Sequence, residues 1–292
     1  MKARFLPGRL RAWAWRFHTL PLADRLFAGV DAPCVLERRL FGLRLRADVA
    51  RGNPQRLLYL EGERFVGERQ AVRRLLRPGM RAVDVGANIG YYLLLLESAV
   101  GPRGSVVCFE PEPANFRELE GNVRLNGLAN AQLFAAAVGA EDGRVALRAG
   151  INAAIVQDGA GDFTVPLVRL DSVLTGPVDF LKIDVEGWEG HVLAGARRLL
   201  RQHRPTLWVE VHPGFLAPPH SVDGILEELR QVHDRVEMLE IAPQGSFAEK
   251  VRARYLGRAV RRVPDPQALL AACREGRRQE PFWAVAAGPG AT

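Results

Sequence analysis

The run Met80-Arg-Ala-Val-Asp84-Val-Gly86-Ala-Asn88-Ile-Gly90-Tyr91 carries an apolar strand into a glycine turn and then into an apolar helix, with a carboxylate two residues before the first glycine. Glycine lets the backbone approach a ligand closely, and in a doubly wound sheet the carboxyl end of a strand is where nucleotide-like ligands sit. Gly86 and Gly90 are four residues apart, which is not the G-x-G-x-x-G arrangement of dinucleotide binders. Asp84 would repel a pyrophosphate but suits a ligand with a cationic sulfonium and a free amino group. S-adenosyl-L-methionine has both. Ser105-Val-Val-Cys-Phe-Glu110 is a second apolar run, ending in an acid 20 residues beyond Gly90. An acid there can accept hydrogen bonds from ribose hydroxyls.

A third element, Val178-Asp-Phe-Leu-Lys182-Ile-Asp184-Val-Glu186-Gly-Trp188-Glu189, is followed by Leu207-Trp-Val-Glu210-Val-His212-Pro213. Both should lie on the same side of the first strand, so that Asp84, Asp184 and Glu210 crowd one edge. Close carboxylates are costly unless a cation joins them. Lys182, one of three lysines among 40 cationic side chains, sits in a strand expected to be buried and needs such a partner. Methyl transfer to a hydroxyl requires alignment and a base. Asp184, Glu186, Glu189 and His212 are the candidates, with Asp184 and His212 favoured because strand ends are held rigidly. The blander readings are that Glu186 or Glu189 balances a helix N-terminus and that His212 is a satisfied strand-end histidine. No spacing in the sequence demands a metal.

These residues need a scaffold, and the pattern after Met80 supplies one. Short apolar runs alternate with amphipathic segments, which predicts an α/β fold: a doubly wound, Rossmann-like, mostly parallel sheet with helices on both faces. Strands are expected near 81–85, 105–110, 131–138, 178–184 and 206–212, and helices near 89–99, 113–126, 188–201 and 222–232. Gly143 to Leu170 reads as additional β structure and loop, and Val236–Ile241 and Phe282–Ala287 are the last strand candidates. Upstream, Val35 to Val49 predicts a hairpin turning at Phe41-Gly42, and Glu68 to Leu76 a helix ended by Pro78-Gly79. Leu6, Leu10, Trp13, Phe17 and Leu20 recur at helical spacing in a basic segment, which would either dock on its own domain or lie on a membrane surface. The chain thus divides into a basic helix and hairpin extension (1–62), a main domain (63–242), and an Arg-rich segment with a final strand at about 281–287 that completes the sheet (243–292).

The formal charge of +7 is unevenly spread. Residues 1–30 carry six cations against Asp24, residues 250–279 carry nine against Asp265 and Glu275, and the remainder is net acidic. That argues against nucleic acid as a partner of the central domain. Cys34, Cys108 and Cys273 suit neither a zinc site nor a disulfide framework, and no window of about 18 residues is free of charge. A cytoplasmic protein is expected, with peripheral contact at the inner membrane surface as the role open to residues 1–30. Oligomeric state is not legible. The competing functional readings are an NAD-dependent oxidoreductase, a nucleic-acid ribose methyltransferase and a non-catalytic cofactor-binding scaffold. The glycine spacing with Asp84, the acidic central domain and the intact turn weigh against them in that order.

Together these motifs resemble the FkbM-type methyltransferase family. The likeness rests on Asp84-Val-Gly-Ala-Asn-Ile-Gly-Tyr-Tyr, on Phe109-Glu-Pro-Glu-Pro-Ala-Asn-Phe with Asn122 and Asn126-Gly, on Leu170-Asp171, and on Lys182-Ile-Asp-Val-Glu-Gly-Trp-Glu189, and covers roughly residues 63–232. The resemblance implies a class I sheet of seven strands with an antiparallel final strand, and methylation of a hydroxyl on a sugar, glycan or natural product. By the same analogy Asp84, Gly86, Asn88 and Gly90 meet the cofactor, Glu110 its ribose, and Asp171 and the Lys182 to Glu189 run face the substrate, with Glu210 beside them. The third strand ends Ala135-Ala-Ala-Val-Gly139 without an acid for the adenine amine, leaving backbone groups or Asp142 for that contact.

Overall fold

The computed structural model describes residues 33–51, 55, 66–148, 154–156, 161–241 and 260–288. The expected amphipathic helix of residues 1–30 lies outside them. The hairpin forms as read: β1 (Val35–Leu40) and β2 (Leu43–Asp48) pair antiparallel, with Phe41 (φ 56°) and Gly42 (φ 84°) both left-handed at the turn, as a tight hairpin requires. Helix α1 (Val66–Leu75) follows. Next come β3 (Arg81–Val85), α2 (Tyr91–Val100), β4 (Ser105–Phe109), α3 (Pro113–Asn126) and β5 (Ala131–Phe134). Residues 137–168 contain β6 (Ala137–Val138), β7 (Gly143–Arg148), β8 (Ala154–Val156) and β9 (Phe163–Val168). The chain continues through α4 (Leu170–Val173), β10 (Phe180–Ile183), α5 (Glu189–Ala194), α6 (Arg197–His203), β11 (Thr206–Val211) and α7 (Val222–Val232). It closes with β12 (Val236–Ile241), β13 (Val260–Arg262), α8 (Pro266–Arg274) and β14 (Phe282–Ala286).

The main sheet runs β13-β12-β14-β11-β10-β3-β4-β5. Strands β11, β10, β3, β4 and β5 are parallel neighbours, and β14 inserts antiparallel between β11 and β12. The antiparallel final strand is as anticipated. The sheet holds eight strands where the resemblance implies seven, because β13, inside the Arg-rich segment, pairs with β12 at the edge.

Alternation along the strands divides the core between two faces. Val83, Val85, Leu181, Ile183, Leu207 and Val209 pack on one face with residues of α5, α6, α7 and α8. Ala82, Cys108, Phe180 and Trp208 pack on the other with α1, α2 and α3. Two expected elements are divided. The strand read across 131–138 breaks after Phe134, and β6 leaves the main sheet to join the four-stranded sheet β6-β9-β7-β8. The helix read across 188–201 breaks at Gly195-Ala196, where the backbone of Gly195 lies so near Gly139 that a Cβ would sit 1.9 Å from the Gly139 carbonyl oxygen.

The hairpin is held against the helices by side chains that imitate a strand. Asn122, fully buried, accepts from the Arg46 N–H at 2.7 Å and donates to the carbonyls of Arg46 (3.0 Å) and Ile89 (2.8 Å). One turn later Asn126 repeats the pairing with the N–H and carbonyl of Arg44, both at 2.7 Å. Leu40, Leu45 and Ala47 then close over Ile89, Tyr91 and Leu94 at the start of α2. The hairpin thereby braces the segment that leaves the glycine turn.

Candidate active site

At the carboxyl ends of β3, β4 and β10 the protein has a solvent-open cleft. Gly86 (φ 85°) forms its floor and tolerates no side chain: a Cβ would lie 1.9 Å from the carbonyl oxygen of Asp184. The turn is tied down by hydrogen bonds from the N–H groups of Gly86 (3.0 Å) and Ala87 (3.1 Å) to the carbonyl of Phe109. Gly90 (φ 98°) caps α2 from the left-handed region; it is absent from the cleft wall and shapes the turn. Asn88 lines the cleft, also left-handed at φ 51°.

Glu110 lies at the cleft wall as the sequence places it. Its carboxylate accepts from the N–H groups of Asn88 (2.8 Å) and Glu112 (2.9 Å) and from Asn115 Nδ2 (3.4 Å). Burial nonetheless pushes it up to about 7, against those donors. Phe109, stacked on Phe134 with ring centroids 4.8 Å apart, gives the neighbouring wall an aromatic face.

Asp84 is displaced from its expected role. Its side chain is fully buried beneath the turn and does not reach the cleft among the described residues. In the β3–β10 register it stands opposite Lys182, whose Nζ is 3.2 Å from Asp84 Oδ1 and 3.3 Å from Asp184 Oδ2. The ammonium also lies 4.3 Å from the centroid of the Tyr92 ring, and the Tyr92 hydroxyl donates to buried Glu68. Burial opposes a charged Lys182, but Asp84, Asp184 and Glu210 outweigh it and hold the amine cationic. Lys182 therefore joins crowded carboxylates as the sequence suggests, but from under the floor, where it positions Asp184 and cannot touch a ligand.

Asp184 and Glu186 line the cleft, and His212 follows the end of β11 behind them. The His212 Nδ1 is 2.7 Å from Glu189 Oε1, which also accepts from the Gly187 N–H at 2.9 Å. Glu189 is fully buried, so it orients His212 and does not face substrate, correcting the expectation. Burial works against the charged His212 ring, but the bond to Glu189 and the charges of Asp184 and Glu186 push it up to about 9. Glu210 accepts from Trp283 Nε1 at 3.3 Å; burial and the charges of Asp184 and Glu68 raise it well above the usual carboxylate range.

Two other expected residues are structural. Asp142 accepts from the N–H and Nε of Arg169 (2.8 and 2.9 Å) and from the Ser172 hydroxyl (2.6 Å), bonds that hold it down at about 2. Asp171 accepts from the N–H groups of Arg198 (2.9 Å) and Leu199 (2.8 Å) in the first turn of α6. Neither lines the cleft, where contacts with adenine and substrate are expected of them. The sequence reading missed Glu68, and with it the Glu68–Tyr92 pair beneath Lys182. It also missed a second cavity beside the first, where Gly187, Phe215 and Ala217 meet the shared residues Ile155, Val185, Glu186 and Trp188.

A parallel sheet with one antiparallel strand inserted beside its last parallel member, a glycine turn after the central strand and an acid ending the next one define the class I methyltransferase fold. A profile of the Methyltransferase FkbM domain matches residues 84–236, and the chain belongs to that family. It is 34% identical over 65 residues to Methyltransferase 1 of Beauveria bassiana, a stretch covering 22% of this chain and 26% of that protein. Among solved structures it is similar to methyltransferase FkbM of Methylobacillus flagellatus, at 18% identity and a TM-score of 0.44 over 65% of this chain and 49% of that one. It is also similar to a SAM-dependent O-methyltransferase of Thermotoga maritima, at 16% identity and a TM-score of 0.41 over 75% and 64%. The chain thus spans about a quarter of the curated relative and half of the first of these structures.

No helix among the described residues is long and apolar enough to cross a membrane. In the described part of the Arg-rich segment several arginines pair with acids of the main sheet and α7: Arg261 and Arg278 with Glu240, Arg262 with Glu237 and Arg274 with Asp223.

Proposed function

We propose that this methyltransferase uses S-adenosyl-L-methionine to methylate a hydroxyl group on a sugar, glycan or natural product. The observation that carries the cofactor reading is the charge of the cleft. Glu110, Asp184 and Glu186 line it, and no Lys or Arg does among the described residues. Such a wall repels a diphosphate and attracts a sulfonium and an ammonium. Acids other than Asp84 therefore supply the negative wall. When bound, the cofactor supplies a methyl group already activated by the sulfonium.

The residues present fit that group. Gly86 and Asn88 offer close backbone approach, Glu110 takes the ribose hydroxyls, and Phe109, Ala136 and Leu147 give the base an apolar wall. Asp184, fixed by Lys182, is the oxygen base placed to take the acceptor's proton, and Trp188 with Phe215 provides an aromatic shelf for a sugar or a flat natural product in the adjoining cavity.

Calorimetric titration with S-adenosylmethionine, S-adenosylhomocysteine and NAD tests the cofactor. Both sulfur nucleosides are expected to bind and NAD not to; the reverse would reject the reading. For the acceptor, radiolabelled methyl transfer to fractionated glycan and small-molecule extract is expected to give a base-stable ether product. Label found in nucleic acid would reject that acceptor class.

A further inference from the structure

The His212 ring is 5% exposed, and the fully buried Glu189 carboxylate holds its Nδ1 at 2.7 Å. A carboxylate behind an imidazole fixes the ring and its orientation, so that a cation displacing the proton of the second nitrogen meets a lone pair already aimed at it. That nitrogen, Nε2, points at three carboxylates: Glu186 Oε2 at 3.5 Å, Glu210 Oε1 at 3.9 Å and Asp184 Oδ1 at 4.0 Å. These separations lie beyond the ordinary hydrogen-bond range of roughly 2.7–3.2 Å, so the nitrogen is aimed into the group at ion-pair distance with room left between it and the oxygens.

The spacing has a simple explanation. Ligand atoms at roughly 2.0–2.3 Å around one divalent cation stand about 3–4.5 Å from one another, depending on the angle they subtend. One ligand atom from each of Asp184, Glu186 and His212 lies within 4.8 Å of the others. The oxygens are also divided suitably: Oδ2 of Asp184 is taken by Lys182, while Oδ1 faces Nε2. Glu186 holds a left-handed backbone conformation (φ 52°), a strained arrangement for a residue with a side chain, and its side chain meets this point.

We propose that Asp184, Glu186 and His212 bind a divalent metal cation, with Glu210 beside them. One imidazole nitrogen and two or three carboxylate oxygens suit Mn²⁺ among the available ions. Asp184 and Glu186 also line the cleft, so the cation faces the acceptor, where it polarises a bound hydroxyl whose proton then leaves to solvent, Asp184 serving as a ligand in place of acting as the base. That catalytic role rests on the methyltransferase reading above; the binding of the cation does not.

The test uses the full-length, chelator-stripped chain and Mn²⁺ followed by electron paramagnetic resonance, with S-adenosylhomocysteine titrated separately in EDTA. One site is expected, with its free-ion signal quenched on binding and a nitrogen hyperfine coupling that shifts when histidine is labelled with ¹⁵N. Asp184→Asn and His212→Gln should each abolish it, Glu189→Gln should weaken it by about 10–100-fold, and Asp223→Asn, a surface acid outside the cluster, should leave it unchanged. Circular dichroism establishes that each variant is folded, and the nitrogen coupling in the unaltered chain needs no variant. Absence of binding below millimolar Mn²⁺, or bound Mn²⁺ without nitrogen coupling, overturns the proposal. Nucleoside binding without Mn²⁺ binding would sink the metal site alone; the converse would sink the cofactor reading alone.

Discussion

Asp84 and Lys182 face each other across two central parallel strands, in register, with Nζ 3.2 Å from Oδ1 and neither side chain more than 1% exposed. A buried pair of this kind contributes little over an apolar replacement but is costly to break, because the surviving charge has no partner. Lys182→Met is therefore expected to lose about 3–5 kcal/mol of stability. Adding Asp84→Asn to it should recover much of the loss. Urea unfolding of the two single variants and the double decides the point: strictly additive losses would show that the pair is not coupled.

Glu110 links the cleft to pH. Burial puts it at about 7 in the free protein, so near neutrality it is partly protonated. Two ribose hydroxyls donating to the carboxylate favour its ionised form, so binding lowers its pKa and releases protons. Affinity for S-adenosylhomocysteine is then expected to rise as pH goes from 6 to 8, by up to about tenfold for each unit of depression, and Glu110→Gln should flatten the dependence. Calorimetry in two buffers of different ionisation enthalpy measures the protons directly. Proton uptake on binding would remove Glu110 from the ribose.

The strands and the glycine turn were legible because they depend on local signals: short apolar runs, Gly86 and Gly90, and an acid at or next to the end of each of the first two strands. The direction of Asp84 was also available, through parity. It shares a strand face with Ala82, which packs under the α1–α3 layer, and not with Val83 and Val85. A carboxylate at the end of a strand draws attention to the ligand side, and the alternation that places it elsewhere is easily passed over. Asp171 and Asp142 were not legible at all. Asp171 caps a helix that begins 26 residues later, and Asp142 reaches Arg169 and Ser172 across the small sheet. Such contacts exist only once the chain is folded. For the same reason His212 could be placed near Asp184 and Glu186 by sheet order, while its clamp by Glu189 could not.

Asn122 offers a test of how the hairpin is attached. Its replacement by Ala strands the N–H and carbonyl of Arg46 and the carbonyl of Ile89, each paired through this one side chain. At about 1–3 kcal/mol for a buried group left unpaired, the variant should lose roughly 2–4 kcal/mol, since some of these groups regain water. The loss should be local. Hydrogen exchange at the Arg44 and Arg46 amides is expected to accelerate far more than exchange in β3 or β4. Uniform acceleration across the sheet would mean that the hairpin is not a separable layer.

Glu97 sits in the otherwise apolar helix α2, buried to 6% exposure, with Oε1 unpartnered among the described residues. Burial pushes it up to about 7 from an unfolded value near 4.5. The folded state therefore holds a proton that the unfolded chain releases between those values. The contribution is complete below pH 4.5 and is lost as pH rises through 7. At 1.36 kcal/mol per unit it amounts to about 3 kcal/mol. Glu97→Gln should stay neutral throughout and so gain stability relative to the parent at pH 8, with little difference at pH 5. Glu68 and Glu110 titrate in the same window, so the parent slope should become shallower without vanishing. Urea midpoints at half-unit intervals from pH 5 to 8 would measure the difference. Parallel curves for parent and variant would place the Glu97 carboxyl in contact with water.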